Sequence, residues 1–439
     1  MRLSHARFAL AAALGIALVT SVVRPAPALA QPAAAQAPSA ATPSSAPQDD
    51  PVRALVGRLD LEKYKATIRG LTKFGDRRQG TDRNRAANDW IEAQLKSYGC
   101  SGVARLTYEY NPAPRTAPAQ GAAAPSAAAG ASGRGAAPGQ GAQGRGRGSA
   151  ISIKGNRAPT GVNNDPQKQP NEAVRALDMP QAVNGPREEV YCTKVGATKP
   201  DEMYIVSGHM DGLGYAEAAN DNGSGTALVM ELVRIFSAPD VVTDRSIRFV
   251  LWNNEETGLN GARAYAEQRG PLQGKEDPPG SGKYPEPRWL GVIAHDMMLF
   301  DHGMPGPDGK LPAEQRSEAD VNIEFAAAAT NGQPTKFATQ SQELAWAFKN
   351  ANDRYATDYP AVVGNRMSNT DSAAFQDLAP SISLRELERL SQVGAGWDPH
   401  WHQPTDLFAN FSDKDFKLGL NAAQTTLAAV AQLVGAKIK

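Results

Sequence analysis

From residue 188 onward, short apolar runs alternate with stretches whose apolar residues recur every three or four positions. The runs at 204–207, 246–252, 289–296, 321–325 and 381–384 predict strands. The stretches at 225–236, 261–268, 342–354 and 413–434 predict helices; the first places Leu228, Val229, Leu232, Val233 and Phe236 on one stripe. Before this, Leu55, Leu59, Tyr64, Ile68 and Leu71 follow a helical period. Gly75 and Gly80 break it, and a second helix follows at 86–95. Strands are also predicted at 103–108 and 189–191. Strands alternating with helices predict an α/β fold: a mostly parallel central sheet flanked by helices on both faces. In such sheets ligands bind beyond the carboxyl ends of the strands. His209, Glu255, Glu256 and Asp296 all fall at such ends.

Other segments break this pattern. Residues 1–30 read as a signal peptide: Arg2, His5 and Arg7, an apolar run at 8–23, then Ala28-Leu29-Ala30 as a small-x-small cleavage site. The run is short for a membrane anchor, and no later stretch is long and apolar enough to span a bilayer. The expectation is a secreted or periplasmic protein without stable membrane insertion. Residues 31–51 are Ala, Pro, Ser and Gln-rich, too poor in large apolar groups to fold. Residues 111–186 read as a largely disordered insertion rich in Ala, Gly, Pro and Arg, which divides a folded domain into 52–110 and 187–439. Acidic and basic residues balance at 46 each and no basic stripe stands out, which argues against a nucleic-acid partner. Cys100 and Cys192 form one disulfide or are two separate buried thiols.

Two adjacent glutamates, Glu255 and Glu256, close the apolar run 248–252, and His209 and Asp211 close the run before it. Asp221 follows in Asn220-Asp221-Asn222-Gly223. Neighbouring carboxylates repel and need a cation or a shared proton. Two Glu, two Asp and a His at strand ends therefore point to metal and a metal-activated water. Singly, each has a plainer reading: a core histidine, an ordinary Asp-Asn-Gly turn, a solvated glutamate pair.

Five blocks, in order, carry a resemblance: Ser207-Gly208-His209-Met210-Asp211, Ala219-Asn220-Asp221-Asn222-Gly223-Ser224-Gly225, Asn254-Glu255-Glu256-Thr257-Gly258, Ala294-His295-Asp296-Met297-Met298 and Trp401-His402-Gln403-Pro404-Thr405-Asp406. Together they resemble the M28 family of zinc peptidases, from about residue 52 to the C-terminus apart from the insertion. Residues 74–81 also look like that family's N-terminal loop. The resemblance implies a three-layer, phosphorylase/hydrolase-like sandwich holding two zinc ions. By that likeness Asp221 bridges the metals, His209 and Asp296 complete one site, and Glu256 and His402 complete the other. Glu255 is implied as general base, serving a hydroxide that bridges the metals. Asp211 fits a carboxylate that fixes the His209 tautomer. Asp371, in Asn369-Thr370-Asp371-Ser372, resembles a segment lining the substrate pocket.

The family's peptidases often carry Tyr where this chain has Trp401, so the oxyanion donor is reassigned to Trp401 itself, His400 or a nearby Tyr. His295 and His302 have no motif and read as structural. The expected activity is aminopeptidase cleavage of peptide substrates. Trp401 keeps alive a second reading, the related glutaminyl cyclases, which use one zinc. A carboxypeptidase would need a cation such as Arg366, Arg385 or Arg389 to hold the substrate carboxylate. A non-catalytic binding ectodomain is the remaining alternative, but such relatives lose ligands and this chain keeps all five.

Overall fold

The computed structural model describes residues 50–112, 161–301, 321–328, 333–356, 358–365, 370–386 and 398–439. The expected signal peptide, the low-complexity stretch up to residue 49, His302, Arg366, Arg389 and residues 113–160 of the insertion lie outside the described residues.

Three helices open the described chain: α1 (Pro51–Val56), α2 (Leu61–Thr72) and α3 (Asp82–Ser97). Their starts are set by side-chain caps. The carboxylates of Asp50 and Asp60 and the hydroxyl of Thr81 accept main-chain N–H groups of the first turns. Then come β1 (Ala104–Tyr110), a short helix α4 (Glu172–Asp178), β2 (Gly185–Lys194), β3 (Lys199–His209), α5 (Gly225–Phe236), β4 (Val241–Val242), β5 (Arg245–Trp252) and α6 (Asn260–Arg269). The chain closes with β6 (Arg288–His295), β7 (Val321–Phe325), α7 (Ala338–Tyr355), β8 (Ala361–Gly364), β9 (Ser381–Glu386), α8 (Asp413–Val434) and β10 (Lys437–Ile438).

Eight strands form one sheet in the order β1-β2-β5-β3-β6-β9-β7-β8, and β4 pairs with β10 apart from it. At its centre β3 runs parallel to β5 and β6, and β6 runs parallel to β9. The antiparallel pairs are β1–β2, β2–β5 and β7–β9, so the parallel core carries antiparallel margins. Residues along the strands alternate between two cores. Phe249, Leu251, Val206 and Ile293 face the larger one, covered by α2, α3, α5, α7 and α8. Val250, Trp252, Ile205 and Val292 face the other, covered by α6 and a short turn at 371–375. There Trp252 packs against Tyr265 and Phe375, with ring centroids 5.2 and 5.7 Å apart. Burying each such large side chain contributes about 1.5–3 kcal/mol. This is the three-layer arrangement expected, with one cover much thinner than the other. Among the described residues no helix is long and apolar enough to cross a membrane.

Two features refine the sequence reading. Cys100 and Cys192 are joined by a disulfide. Its covalent loop contains the insertion, but the bridge does not tie down the insertion's ends, because β1 and β2 pair antiparallel from Ala104↔Tyr191 to Tyr110↔Gly185. The bridge sits at one end of this ladder and the insertion leaves from the other. The folded chain also resumes earlier than the expected boundary at 187. Residues 161–184 lie against the fold, with α4 capped by the Asn171 side chain.

Candidate metal centre

The parallel register brings three strand ends together. His209 on β3 lies opposite Trp252 on β5, and Gly208 lies opposite His295 on β6. The pairing runs one step further: Met210 N–H donates to the Trp252 carbonyl at 2.8 Å, and Asp296 N–H to Leu384 at 3.0 Å. His209 and Asp296 thus stand on backbone held by the sheet. His209 Nε2 is 3.4 Å from Asp296 Oδ1 and 3.5 Å from Asp221 Oδ1. Its Nδ1 donates to the main-chain carbonyl of Asp211 at 3.0 Å, which leaves Nε2 as the lone-pair nitrogen. The carbonyl of Asp211 therefore orients the ring; its carboxylate stands 3.9 Å from Nδ1. That carboxylate instead accepts Glu255 N–H at 3.0 Å, tying the end of β3 to the turn after β5.

A second group forms around the other oxygen of Asp221. His402 Nε2 is 3.0 Å from Asp221 Oδ2 and 2.9 Å from Glu256 Oε2. Glu256 follows β5 in a tight turn, where Gly258 and Leu259 N–H groups donate to the Glu255 carbonyl at 2.8 Å each. Asp221 itself is held by its own backbone. Asp406 accepts the N–H of Asn220 at 2.7 Å and that of Asp221 at 2.9 Å on its two oxygens. The Asp221–Asn222 peptide is cis.

Each group offers one imidazole nitrogen and two carboxylate oxygens, all within 4.8 Å of one another. Nitrogen and carboxylate donors in that number suit a divalent metal ion with room for a further ligand. Charge agrees. Asp211, Asp221, Asp296 and Asp371 are buried here with Glu255 and Glu256 beside them. Burial opposes charge on both imidazoles, yet Glu255 and Asp296 around His209, and Glu256 and Asp221 around His402, outweigh it. Both pKa values stand well above the ordinary histidine range. Burial pushes Glu256 up to about 7 against the pull of His402. Burial works against the Asp296 anion too, but the hydrogen bond and charge of His209, with Arg385, hold it down at about 2. A cation placed among these groups relieves their mutual repulsion.

Backbone strain converges on the same place. The non-glycine residues with left-handed φ among the described residues include Tyr215, Ala218, Asn254, Leu259, Met297 and His402. His402 is a ligand candidate, Ala218, Asn254, Leu259 and Met297 lie within three residues of one, and Tyr215 lies midway between His209 and Asp221. Such conformations cost about 1–3 kcal/mol each and persist where the surroundings over-determine them.

Residues 190–426 match the model of peptidase family M28. The chain belongs to that family. A stretch of 68 residues is 40% identical to aminopeptidase YwaD of Bacillus subtilis, covering 16% of this chain and 14% of that protein. A stretch of 89 residues is 36% identical to carboxypeptidase Q of Xenopus laevis, covering 20% of this chain and 19% of that one. The matched stretches thus span less than a fifth of either curated relative. The solved aminopeptidase from Aneurinibacillus sp. strain AM-1 shares the fold at a TM-score of 0.54 and 20% identity, over 88% of this chain and 97% of that one.

Around the five M28-like ligand candidates the remaining expected site residues separate. Trp401 stacks on His402, centroids 4.3 Å apart at 27°. His400 belongs to its own loop: Nδ1 pairs with Thr405 Oγ1 at 2.9 Å, and the ring meets Phe411 edge-on. His295 is buried between the Ser207 carbonyl and the Thr426 hydroxyl, and burial lowers its pKa to about 4, as a structural imidazole requires. Asp371 is buried, and burial raises its pKa well above the ordinary value; the charges of Asp211, Asp296 and Glu256 raise it too, against the pull of His209. Its two oxygens have no hydrogen-bond partner among the described residues. Sequence reasoning did not place Arg385, which lies 3.6 Å from Asp296 because β9 pairs with β6. It also passed over Arg77. That buried guanidinium donates to the carbonyls of Met210, Glu217 and Ala218 at 2.7–2.8 Å and so holds the whole link between His209 and Asp221. The break after α2 was legible, but not that its arginine turns inward.

Proposed function

We propose that this chain is an exported aminopeptidase that works with two zinc ions and uses Glu255 as general base. The observation that carries the reading is the division of Asp221, whose two oxygens face different histidines, His209 and His402. One ion would take His209, Asp296 and Asp221; the other would take Asp221, Glu256 and His402. Zinc in these positions would polarise the scissile carbonyl and lower the pKa of the attacking water. Glu255 adjoins Glu256 but belongs to neither ligand group, which leaves its carboxylate for proton transfer. It accepts a proton as the water oxygen bonds to the carbonyl carbon, and returns it to the amine nitrogen as the C–N bond breaks.

The acidic surroundings favour an amino terminus over a carboxyl terminus. Six carboxylates gather here, and Arg385, the cation beside them, is already against Asp296. Two zinc ions would offset four of those charges, and the carboxylates outside the ligand groups, Glu255, Asp211 and Asp371, would leave a field that suits a substrate ammonium better than a substrate carboxylate. The names of the relatives, an aminopeptidase and a carboxypeptidase, point both ways, and the charge supports the aminopeptidase reading. Export is supported by the Ala28-Leu29-Ala30 pattern and by the disulfide, which persists in oxidising compartments. The catalytic domain is taken to comprise 50–112 and 161–439. Trp401, stacked on His402, supports the cyclase as the second reading.

Mass spectrometry of a mixed peptide set incubated with the zinc-loaded mature protein tests this. Stepwise loss of N-terminal residues is expected. Ammonia loss from N-terminal Gln alone makes the protein a cyclase, C-terminal trimming makes it a carboxypeptidase, and an unchanged set contradicts a peptidase.

A further inference from the structure

Residues 161–183 lie outside the stretch that matches the family and touch three separate loops of the site. Asn163 N–H donates to the His402 carbonyl at 3.0 Å, and Asn163 Nδ2 to the Gly214 carbonyl at 3.1 Å. Gln169 is fully buried, which is unusual for a glutamine. Its Nε2 donates to the Tyr215 carbonyl at 2.7 Å and to the Pro404 carbonyl at 2.8 Å, while its Oε1 accepts Asn171 N–H at 3.0 Å. One amide thus joins the loop before Asp221 to the loop after His402. Further along, Arg83 donates to the Pro180 carbonyl, and Val183 N–H donates to the Gly80 carbonyl, fastening the segment to the loop before α3.

His402 needs this support. Its backbone is in the left-handed region at φ 56°, and its Nδ1 has no hydrogen-bond partner among the described residues. Its Nε2 faces Asp221 and Glu256, so behind the ring only its loop and Trp401 hold it, with no hydrogen bond at Nδ1 among the described residues. We propose that residues 161–183 are a clasp on the metal centre, and that Gln169 is a positioning residue for the group of Asp221, Glu256 and His402. The proposal rests on the two-zinc reading. Neither Gln169 nor Asn163 touches metal or substrate; they act through the two loops they join. Removing a group that hydrogen-bonds a metal ligand typically costs about 10–100-fold in affinity, and a support one step further out should fall at the low end of that range.

The test is zinc alone, titrated against a chromogenic chelator, on the full-length protein. Gln169→Met keeps the bulk and removes the donors. It should weaken one of the two zinc ions about tenfold or more and leave the other unchanged, with far-ultraviolet dichroism intact. Asn163→Ala, which loses the bond to Gly214, should weaken the same ion about fivefold and serves if Gln169→Met does not fold. Equal weakening of both ions, or none in a folded variant, overturns the clasp. A wild-type protein that does not bind two zinc ions overturns the two-zinc reading, and the clasp with it.

Discussion

His209 and Asp296 stand at the ends of neighbouring parallel strands, while Glu256 and His402 stand on turns. In the first group the sheet ladder fixes the backbone, and the Asp211 carbonyl fixes the His209 ring. In the second, positions come from a tight turn, a stacked Trp401 and contacts from a distant segment. The difference teaches where precision originates. A strand end is placed by main-chain hydrogen bonds that any sequence of the right pattern makes. A loop ligand is placed by particular side chains, and can be loosened by changing one of them.

The comparison breaks most completely at the residue both groups share. Asp221→Ala should abolish binding of both zinc ions and reduce hydrolysis to background, read by elemental analysis of the purified protein alongside a peptide assay. Glu255→Gln should leave both groups filled, because Glu255 belongs to neither, yet lower kcat about 10²–10⁴-fold. Retained turnover in that variant removes Glu255 from the chemistry. Asp406→Asn reaches both groups from behind. An amide oxygen cannot replace both oxygens that accept the Asn220 and Asp221 N–H groups, so both ions should bind about 10–100-fold more weakly. Selective weakening of a single ion would show that Asp406 does not act through Asp221.

The smallest effect concerns the clasp and is read in stability. Burial, and then the charge of Asp76, raise the pKa of Asp178 at the end of α4 from 3.8 to about 8, against the pull of Arg83 and Arg78. A carboxyl raised on folding stabilises below its unfolded value, and that contribution is lost as pH rises through the folded one. Asp178→Asn mimics the neutral acid. Its melting temperature should therefore gain on the wild type from about pH 4 and level off near pH 8. A gap that does not vary with pH would mean that Asp178 is charged in the folded protein throughout.

The same contrast explains what the sequence let one read. The parallel core was legible because buried strands such as 246–252 finish in an apolar run, here 249–252, that gives way to polar residues. That also exposed His209, Glu255, Glu256 and Asp296 as residues at strand ends. The antiparallel margins were not legible, since β7 carries no mark of pairing with β9. Asp221 and His402 stood out through motifs and the resemblance they carry, not through periodicity. Arg385, Arg77 and Gln169 were hidden for a physical reason. An arginine or glutamine in a polar stretch ordinarily faces water, and only the tertiary fold supplies the carbonyls and carboxylates that turn these inward. Residues 161–184 were hidden similarly: their composition continues the insertion, and their order comes from bonds to loops far away in sequence.

The most direct test of the central claim is calorimetric zinc titration of the wild type and His402→Ala, side by side. The account predicts two ions for the wild type and one for the variant, the remaining ion being held by His209, Asp296 and Asp221. Loss of both ions in His402→Ala, or retention of both, would contradict two differently built groups meeting at Asp221.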